Sequence, residues 1–299
     1  MLTSDQNRKI NEIVEEFKEA ADFYRMEYSE DLMGMFRDFG CMLLLKCKVD
    51  TEGKADLERL LEGRHKLKGT VKRQLMTVSE ELVQLWAPGE QDGSGDTGEY
   101  EGSQNVREMF QTALEEIFHF CLYSKGGKNR YLLPEETAKP LLRLLTFPEG
   151  MMAGNEGLVV LDTQCGAGSA LMAASRYLKN LRLMGYEKDE EMWAAAVIMS
   201  QLSGLEMELH LEDGARADLY ESCDLVISNP VYGTDTIKDE ELIDQLPGEL
   251  KTVRGRYHME LIRSMQALNF DGKAMLIVPN SFLFANRTES MKVRKWLDR

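Results

Sequence analysis

Apolar positions follow two different periods along this chain. Up to about residue 88 they recur with helical spacing, as in INEIVEEFKEAADFYRMEY and in the charged segment ending SEELVQLW, which favours helices. From Gly157 onward, short apolar runs rich in β-branched residues alternate with amphipathic or Ala-rich stretches. Strands and helices that alternate at this spacing predict an α/β fold with a doubly wound, mainly parallel sheet.

The change of period predicts two domains. Residues 1–128 are expected to form a helical N-terminal domain, and residues 129–299 the sheet domain. Within the first, residues 87–104 (APGEQDGSGDTGEYEGSQ) are glycine-rich, acidic and poor in apolar side chains, which predicts a mobile loop. A further helix is expected from Val106 to Tyr123.

Polar residues follow the first four predicted strands. The first strand ends at Asp162, the second at Glu187, the third at Asp213 and the fourth at Asn229. In an open parallel sheet, ligands bind at the carboxyl ends of the strands, so these side chains are expected to converge. The alternative is that the acids are solvated strand-end or helix-capping residues.

The fifth strand is predicted in GKAMLIVPNSFLF, bounded by Gly272 and Pro279. It follows an amphipathic stretch from Tyr257 to Phe270, and the chain then stops at Arg299 inside the next predicted helix. Either the sequence is a truncated piece of a longer protein or the sheet is genuinely short, and we expect that the sheet domain is truncated at its C-terminal end.

A glycine turn after the first strand, LDTQCGAGS, predicts a ligand loop. Gly166 and Gly168 let the backbone turn tightly and approach a ligand closely. The full G-x-G-x-x-G spacing is absent, which suits a cofactor with an amino-acid tail and no pyrophosphate. Glu187, some twenty residues further on, is placed to accept hydrogen bonds from ribose hydroxyls, and Asp213 from an adenine amine.

The segment Asn229-Pro230-Val231-Tyr232 predicts a site for a planar nitrogen nucleophile. Such an amine attacks a sulfonium methyl group poorly unless acceptors hold its N–H bonds. The Asn229 side-chain oxygen and the Pro230 carbonyl are candidate acceptors, and the Tyr232 ring is a surface for stacking. An Asn-Pro turn after a strand is also ordinary loop chemistry.

Together these segments resemble the class I S-adenosylmethionine-dependent methyltransferases. Within that group they are similar to the N6-adenine DNA methylases, especially the modification subunits of type I restriction systems. The resemblance covers about Arg130 to Arg299, and it rests on RYLLPEETAKPLL, LDTQCGAGS, GYEKD, EDG, SNPVYG and LIVPNSFLF followed by RKWLDR.

The resemblance implies S-adenosyl-L-methionine as cofactor, no metal, and methyl transfer to the N6 of adenine in DNA. The residues that it implies for cofactor binding are Tyr131, Pro134, Asp162, Cys165, Gly166, Gly168, Glu187, Lys188, Asp213, Gly214 and Asn229. The target amine would be held by Asn229, Pro230 and Tyr232.

Three positions depart from the family pattern. Val231 and Thr163 stand where proline is expected, and Leu133 stands where threonine is common. A catalytically silent methylase-like subunit is therefore an alternative hypothesis. A methyltransferase that acts on protein glutamine or on RNA is another.

The charge balance bears on the substrate. The formal net charge is −15, which is unfavourable for contact with phosphates. Residues 251–299 hold 10 bases and 4 acids, whereas residues 201–250 hold 2 bases and 13 acids. These bases are either a basic rim near the Asn-Pro turn or solvated residues on helix faces. Because the net charge is strongly negative, we expect a missing segment, or a partner such as a specificity subunit, to supply most of the DNA affinity. A homo-oligomer is the other assembly considered.

The cysteines, the apolar runs and the N-terminus bear on the class of protein. The five cysteines lack paired zinc spacing, and no apolar run approaches the roughly 20 residues of a membrane span. The charged N-terminus does not have the pattern of a signal peptide. These features predict a reduced cytoplasmic protein without a structural metal or membrane contact.

Overall fold

The computed structural model describes residues 2–28, 31–49, 55–62, 67–86, 98–124, 132–133, 135–145, 157–219, 223–230, 236–286 and 288–298. The chain divides into two compact units. The first consists of Met1–Arg130 with Val197–Gly204, and the second of Tyr131–Ala196 with Leu205–Arg299.

The first unit is helical, as predicted. Its helices are α1 (Ser4–Glu27), α2 (Met33–Lys46), α3 (Ala55–Glu62), α4 (Gly69–Leu85) and α5 (Gly98–Leu122). Helix α1 begins with a capping box, in which the Thr3 side chain and the Gln6 side chain satisfy each other's backbone N–H groups. Buried aromatic side chains form its core, with Phe17 and Phe39 in edge contact at a centroid distance of 5.0 Å.

The predicted loop over residues 87–104 is wrong for its last part. Residues 87–97 lie outside the described residues, but α5 already begins at Gly98. The predicted helix from Val106 is therefore longer by about two turns. Adding residues to an existing helix costs much less than nucleating one, so a polar segment without apolar periodicity can still extend a neighbouring helix.

The second unit contains the parallel sheet. Its elements are α6 (Glu135–Leu144), β1 (Leu158–Asp162), α7 (Ser169–Tyr177), β2 (Leu181–Glu187), α8 (Glu190–Ser203, which ends in the first unit), β3 (Met207–Leu211), β4 (Cys223–Ser228), α9 (Glu240–Asp244), a 3₁₀ turn (Gly248–Leu250), α10 (Arg256–Gln266), β5 (Leu268–Leu276), α11 (Asn280–Phe284) and α12 (Thr288–Leu297).

All five strands are parallel, in the order β3-β2-β1-β4-β5. The order reverses between β1 and β4, which is the point where ligands bind in open α/β sheets. The register places Asp162 opposite Gly185 and Glu187 opposite Leu211, so the polar strand ends lie along one edge of the sheet. The predicted fold class is confirmed.

The start of the fifth strand was predicted incorrectly. Strand β5 begins at Leu268, before Gly272, and α10 ends at Gln266, before Phe270. Cys223 pairs with Leu268 but Leu225 pairs with Lys273, so β5 contains a bulge in which Asp271 has a φ of 68°. Phe270 lies in this bulge and is exposed, which breaks the apolar alternation that marks a strand.

Three further observations concern the described part of the chain. All five cysteines are buried and none forms a disulfide. No group of His, Cys, Asp or Glu side chains among the described residues has an arrangement suited to a metal ion. No described helix is long and apolar enough to cross a membrane.

Candidate functional site

The end of β1 carries a buried carboxylate. Asp162 is 2% exposed, and its Oδ1 accepts a hydrogen bond of 3.0 Å from the Gln164 backbone N–H. Burial raises the pKa of Asp162 to about 7, against the opposing effect of that hydrogen bond, and the nearby Glu187 charge raises it further. Within the described residues no cation pairs with Asp162, so this position favours a cationic ligand group.

The loop after Asp162 turns through two left-handed glycines. Gly166 has a φ of 55° and Gly168 a φ of 80°, a conformation that L-side chains rarely adopt. Gly168 is the N-cap of α7, and its N–H donates to the Cys165 carbonyl at 2.8 Å. Burial raises the pKa of the Cys165 thiol well above its ordinary value, so this side chain packs as a neutral group.

Glu187, at the end of β2, is joined to the same loop. Its Oε2 accepts from the Gly166 N–H at 3.0 Å, and its Oε1 accepts from the Asp189 N–H at 2.7 Å. Burial raises its pKa, although both backbone hydrogen bonds favour the charged form. Each carboxylate oxygen has a second lone pair, so Glu187 can still accept from a ligand hydroxyl. Lys188, the next residue, is exposed.

Asp213, after β3, has a partner that the sequence did not predict. Its Oδ2 lies 2.6 Å from Nη2 of Arg256, and its Oδ1 accepts from the Ala215 N–H at 3.2 Å. Burial by itself would raise the pKa of Asp213, but the hydrogen bond and charge of Arg256 outweigh this and lower it. Asp213 is therefore an ionised acceptor held from two sides.

Gly214 allows the loop after β3 to pack against the loop after β1. A Cβ at Gly214 would collide with the Thr163 carbonyl oxygen and would lie 2.9 Å from the Tyr186 Cβ. The absence of a side chain is what allows the β3 loop to approach the β1 loop so closely. Asp162 and Glu187, the last residues of β1 and β2, and Asp213 thus lie where the segments after three neighbouring strands contact one another.

Only part of the predicted site for the target amine lies within the described residues. Asn229 is half-buried and Pro230 is buried directly after β4, and the Ser228 carbonyl accepts from the Ile277 N–H at 3.0 Å. Val231 and Tyr232 lie outside the described residues, as do Tyr131 and Pro134. Leu133, between the last two, donates its N–H to Ser169 Oγ at 3.1 Å at the start of α7.

Helix α10 contributes polar contacts that sequence reasoning missed. Arg256 Nε lies 2.8 Å from Glu260 Oε1, Arg263 donates to the Ala215 and Ala217 carbonyls, and Ser264 Oγ lies 2.9 Å from Thr163 Oγ1. Because residues four apart share a helix face, the spacing of Arg256, Glu260 and Ser264 was an available signal. These residues attach α10 to the β1 and β3 loops.

Several members of the predicted basic rim already have partners within the chain. Arg254 donates to the Lys251 and Val253 carbonyls, and Lys292 Nζ lies 2.6 Å from Thr252 Oγ1. Arg294 donates to the Phe282 and Ala285 carbonyls. These contacts favour a structural role for much of the positive charge in this region.

The carboxylate acceptors at this edge of the sheet suit a cofactor with an ammonium group, a ribose and an adenine. The buried Asp162 lacks a cation among the described residues, Glu187 has spare acceptor capacity, and Asp213 is an ionised acceptor. The β1 loop has free space beside Gly166, because a Cβ at this position would meet no protein atom closer than the Met192 terminal methyl at 3.6 Å. The residues present are therefore compatible with S-adenosylmethionine.

Comparison with known proteins defines the family. A family model described as N-6 DNA Methylase matches residues 107–298. A Listeria monocytogenes structure described as a class I S-adenosylmethionine-dependent methyltransferase has a TM-score of 0.64 at 17% identity, over 98% of this chain and 79% of that one. A Streptococcus thermophilus type I restriction-modification methyltransferase subunit has a TM-score of 0.58 at 17% identity, over 96% of this chain and 78% of that one.

The fold and these matches define a Rossmann-like methyltransferase. The chain belongs to the N-6 DNA methylase family, whose cofactor is S-adenosylmethionine. The comparison with curated proteins gives no sequence match.

Proposed function

We propose that this protein transfers a methyl group from S-adenosylmethionine to the N6 amine of adenine in DNA. The observation that carries the proposal is Asn229-Pro230 at the carboxyl end of β4, next to the switch point between β1 and β4. The acids of the β1, β2 and β3 loops lie along the same edge, which supports a cofactor site beside the amine site.

In this proposal the strand-end acids bind the cofactor. Asp162 pairs with its ammonium group, Glu187 accepts from the ribose hydroxyls, and Asp213 accepts from the adenine amine. The β1 loop, with Cys165, Gly166 and Gly168, encloses the methionine and ribose portion, and Tyr131, Pro134, Lys188 and Gly214 remain proposed contacts. The bound cofactor supplies an electrophilic methyl group on sulfur.

The target amine is held by the residues after β4. The Asn229 side-chain oxygen and the Pro230 carbonyl accept the two N–H bonds, so the nitrogen lone pair is directed at the methyl group. A base inside a duplex cannot reach such a site, so the adenine is flipped out and stacks on Tyr232. Positioning and hydrogen bonding carry the rate enhancement, and no covalent enzyme intermediate is needed.

The net charge of −15 makes strong DNA binding by this chain alone unfavourable. We therefore propose that a partner, such as a specificity subunit, or a further segment supplies most of the DNA affinity. The Streptococcus thermophilus match to a restriction-modification methyltransferase subunit supports this kind of assembly.

The test is methyl incorporation from radiolabelled S-adenosylmethionine into DNA, RNA and protein fractions of a lysate. The wild type is expected to label DNA at adenine N6. Asn229→Ala is expected to lose at least about 100-fold in transfer, because the amine is no longer oriented, while its cofactor affinity changes far less, because the acids Asp162, Glu187 and Asp213 remain. The exposed Asn286→Ala is the matched control and should transfer at the wild-type rate.

Equal transfer by the wild type and Asn229→Ala would contradict the assigned role. Labelling confined to protein glutamine or to RNA would replace DNA as the substrate. Cofactor binding without transfer to any fraction, with the partner present, would favour a catalytically silent subunit.

A further inference from the structure

Arg256 bridges two acids. Its Nη2 lies 2.6 Å from Asp213 Oδ2, and its Nε lies 2.8 Å from Glu260 Oε1. Glu260 is one turn along α10 and 3% exposed, while the Arg256 and Asp213 side chains are 25% and 20% exposed. The guanidinium is therefore fixed between a buried anchor and a partly exposed carboxylate.

The bridge fixes the direction of the Asp213 side chain. The guanidinium group is a planar fork of donors, so it sets the orientation of an acceptor more strictly than a point charge does. Oδ1 is held by the Ala215 N–H at 3.2 Å, and each carboxylate oxygen keeps a second lone pair. Asp213 can therefore accept another hydrogen bond without releasing Arg256 or Ala215.

Helix α10 is also attached to the loops by contacts that do not involve Arg256. Arg263 donates to the Ala215 carbonyl at 3.1 Å and to the Ala217 carbonyl at 2.7 Å, and Ser264 contacts Thr163 at 2.9 Å. These bonds remain when Arg256 is replaced, so the backbone of the β3 loop keeps its support. What changes is the side chain of Asp213.

We infer that Arg256 is a positioning residue that holds Asp213 as the acceptor for the 6-amino group of the cofactor's adenine, and so makes the site selective for a 6-amino over a 6-oxo purine. The inference rests on the proposed cofactor site.

The experiment is calorimetric titration with two ligands that differ at the purine 6 position and, as a consequence, at N1, which accepts a hydrogen bond in the 6-amino purine and donates one in the 6-oxo purine. S-adenosylhomocysteine carries the amine, and S-inosylhomocysteine carries an oxo group that would face the Asp213 carboxylate. The wild type is expected to bind the adenine ligand with a Kd at least about tenfold lower, because one hydrogen bond to a charged group changes the affinity by about that factor. Arg256→Gln is expected to lose most of that preference, Arg256→Lys to restore part of it, and the control Arg254→Gln to leave it unchanged.

The outcomes separate the inference from the proposed function. If Arg256→Gln keeps the wild-type preference, or weakens both ligands in equal proportion, the positioning role is wrong while the cofactor site stands. If the folded wild type binds neither ligand, the cofactor site itself is wrong. Should Arg256→Gln fail to fold, Arg256→Lys decides, since an undiminished preference in that variant contradicts the need for the guanidinium fork.

Discussion

Asp162 is a buried carboxylate without a cation among the described residues, and an arrangement of this kind opposes folding at neutral pH. Its folded pKa of about 7 lies above the value of about 3.9 for an unfolded chain. Between these values the native state binds more protons than the unfolded state. The free energy of unfolding therefore falls as the pH rises through this window. A cationic ligand that pairs with Asp162 would offset this loss of stability.

Asp162→Asn is expected to stabilise the ligand-free protein at pH 8 by at most about 4 kcal/mol, the equivalent of about three pKa units, and by much less at pH 5. The measurement is urea unfolding of both proteins at the two pH values. The exposed Asp298→Asn serves as control and should show no such dependence. A variant less stable than the wild type at pH 8 would contradict the account of Asp162.

At the residue scale, the sequence predicts acceptors better than their partners. Asp162, Glu187 and Asp213 were predictable because each is a polar residue at, or within two residues of, the end of a strand. Arg256 was counted only among the ten bases of residues 251–299, since its partner lies 43 residues away in sequence. Only the packing of α10 against the β3 loop brings the two together.

At the scale of elements, α10 stabilises the site through a buried polar face. Arg263 is 7% exposed, and its guanidinium donates to two backbone carbonyls of the β3 loop. Those carbonyls are not part of a strand, and no strand among the described residues donates to them. The Arg263 side chain supplies these hydrogen bonds instead. The loop that carries Asp213 depends on this helix for its shape.

Arg263→Met is expected to destabilise the protein by about 2–4 kcal/mol, because two backbone carbonyls lose their donors while the apolar stem is kept. Urea unfolding provides the measurement. Arg182→Met is the matched control, since that side chain is 60% exposed and its ion pair with Glu208 is 3.9 Å long; a change below about 0.5 kcal/mol is expected there. Equal effects of the two substitutions would contradict a structural role for the Arg263 contacts.

The order of strands and helices was predictable, but some boundaries were not. Apolar runs identify β1 and β4 most clearly, because those two strands are regular and largely buried. The bulge at Asp271 interrupts the period in β5, and α5 extends into a segment with no apolar period at all. Local sequence does not encode these features, because strand pairing and helix propagation set them.

At the scale of the whole molecule, a helical unit and a sheet unit are joined in a chain of strongly acidic charge. The match to the N-6 DNA methylase model begins at residue 107, within α5 of the first unit, and continues through α12. The proposed domain boundary near residue 128 thus lies inside the family match, and it stays a prediction. The acidic charge and the internal contacts of Arg254, Lys292 and Arg294 leave little free positive charge for phosphates in this region, which is the reason for proposing a DNA-binding partner.

The central claim is that the polar strand ends form an S-adenosylmethionine site. The most direct test is calorimetric titration of the wild type and Asp162→Asn with S-adenosylmethionine at pH 8. The wild type is expected to bind with a Kd of about 1–100 µM, in the range usual for enzyme substrates, and the variant is expected to lose binding although it is the more stable protein. No binding by the folded wild type, or equal binding by both proteins, would contradict the claim.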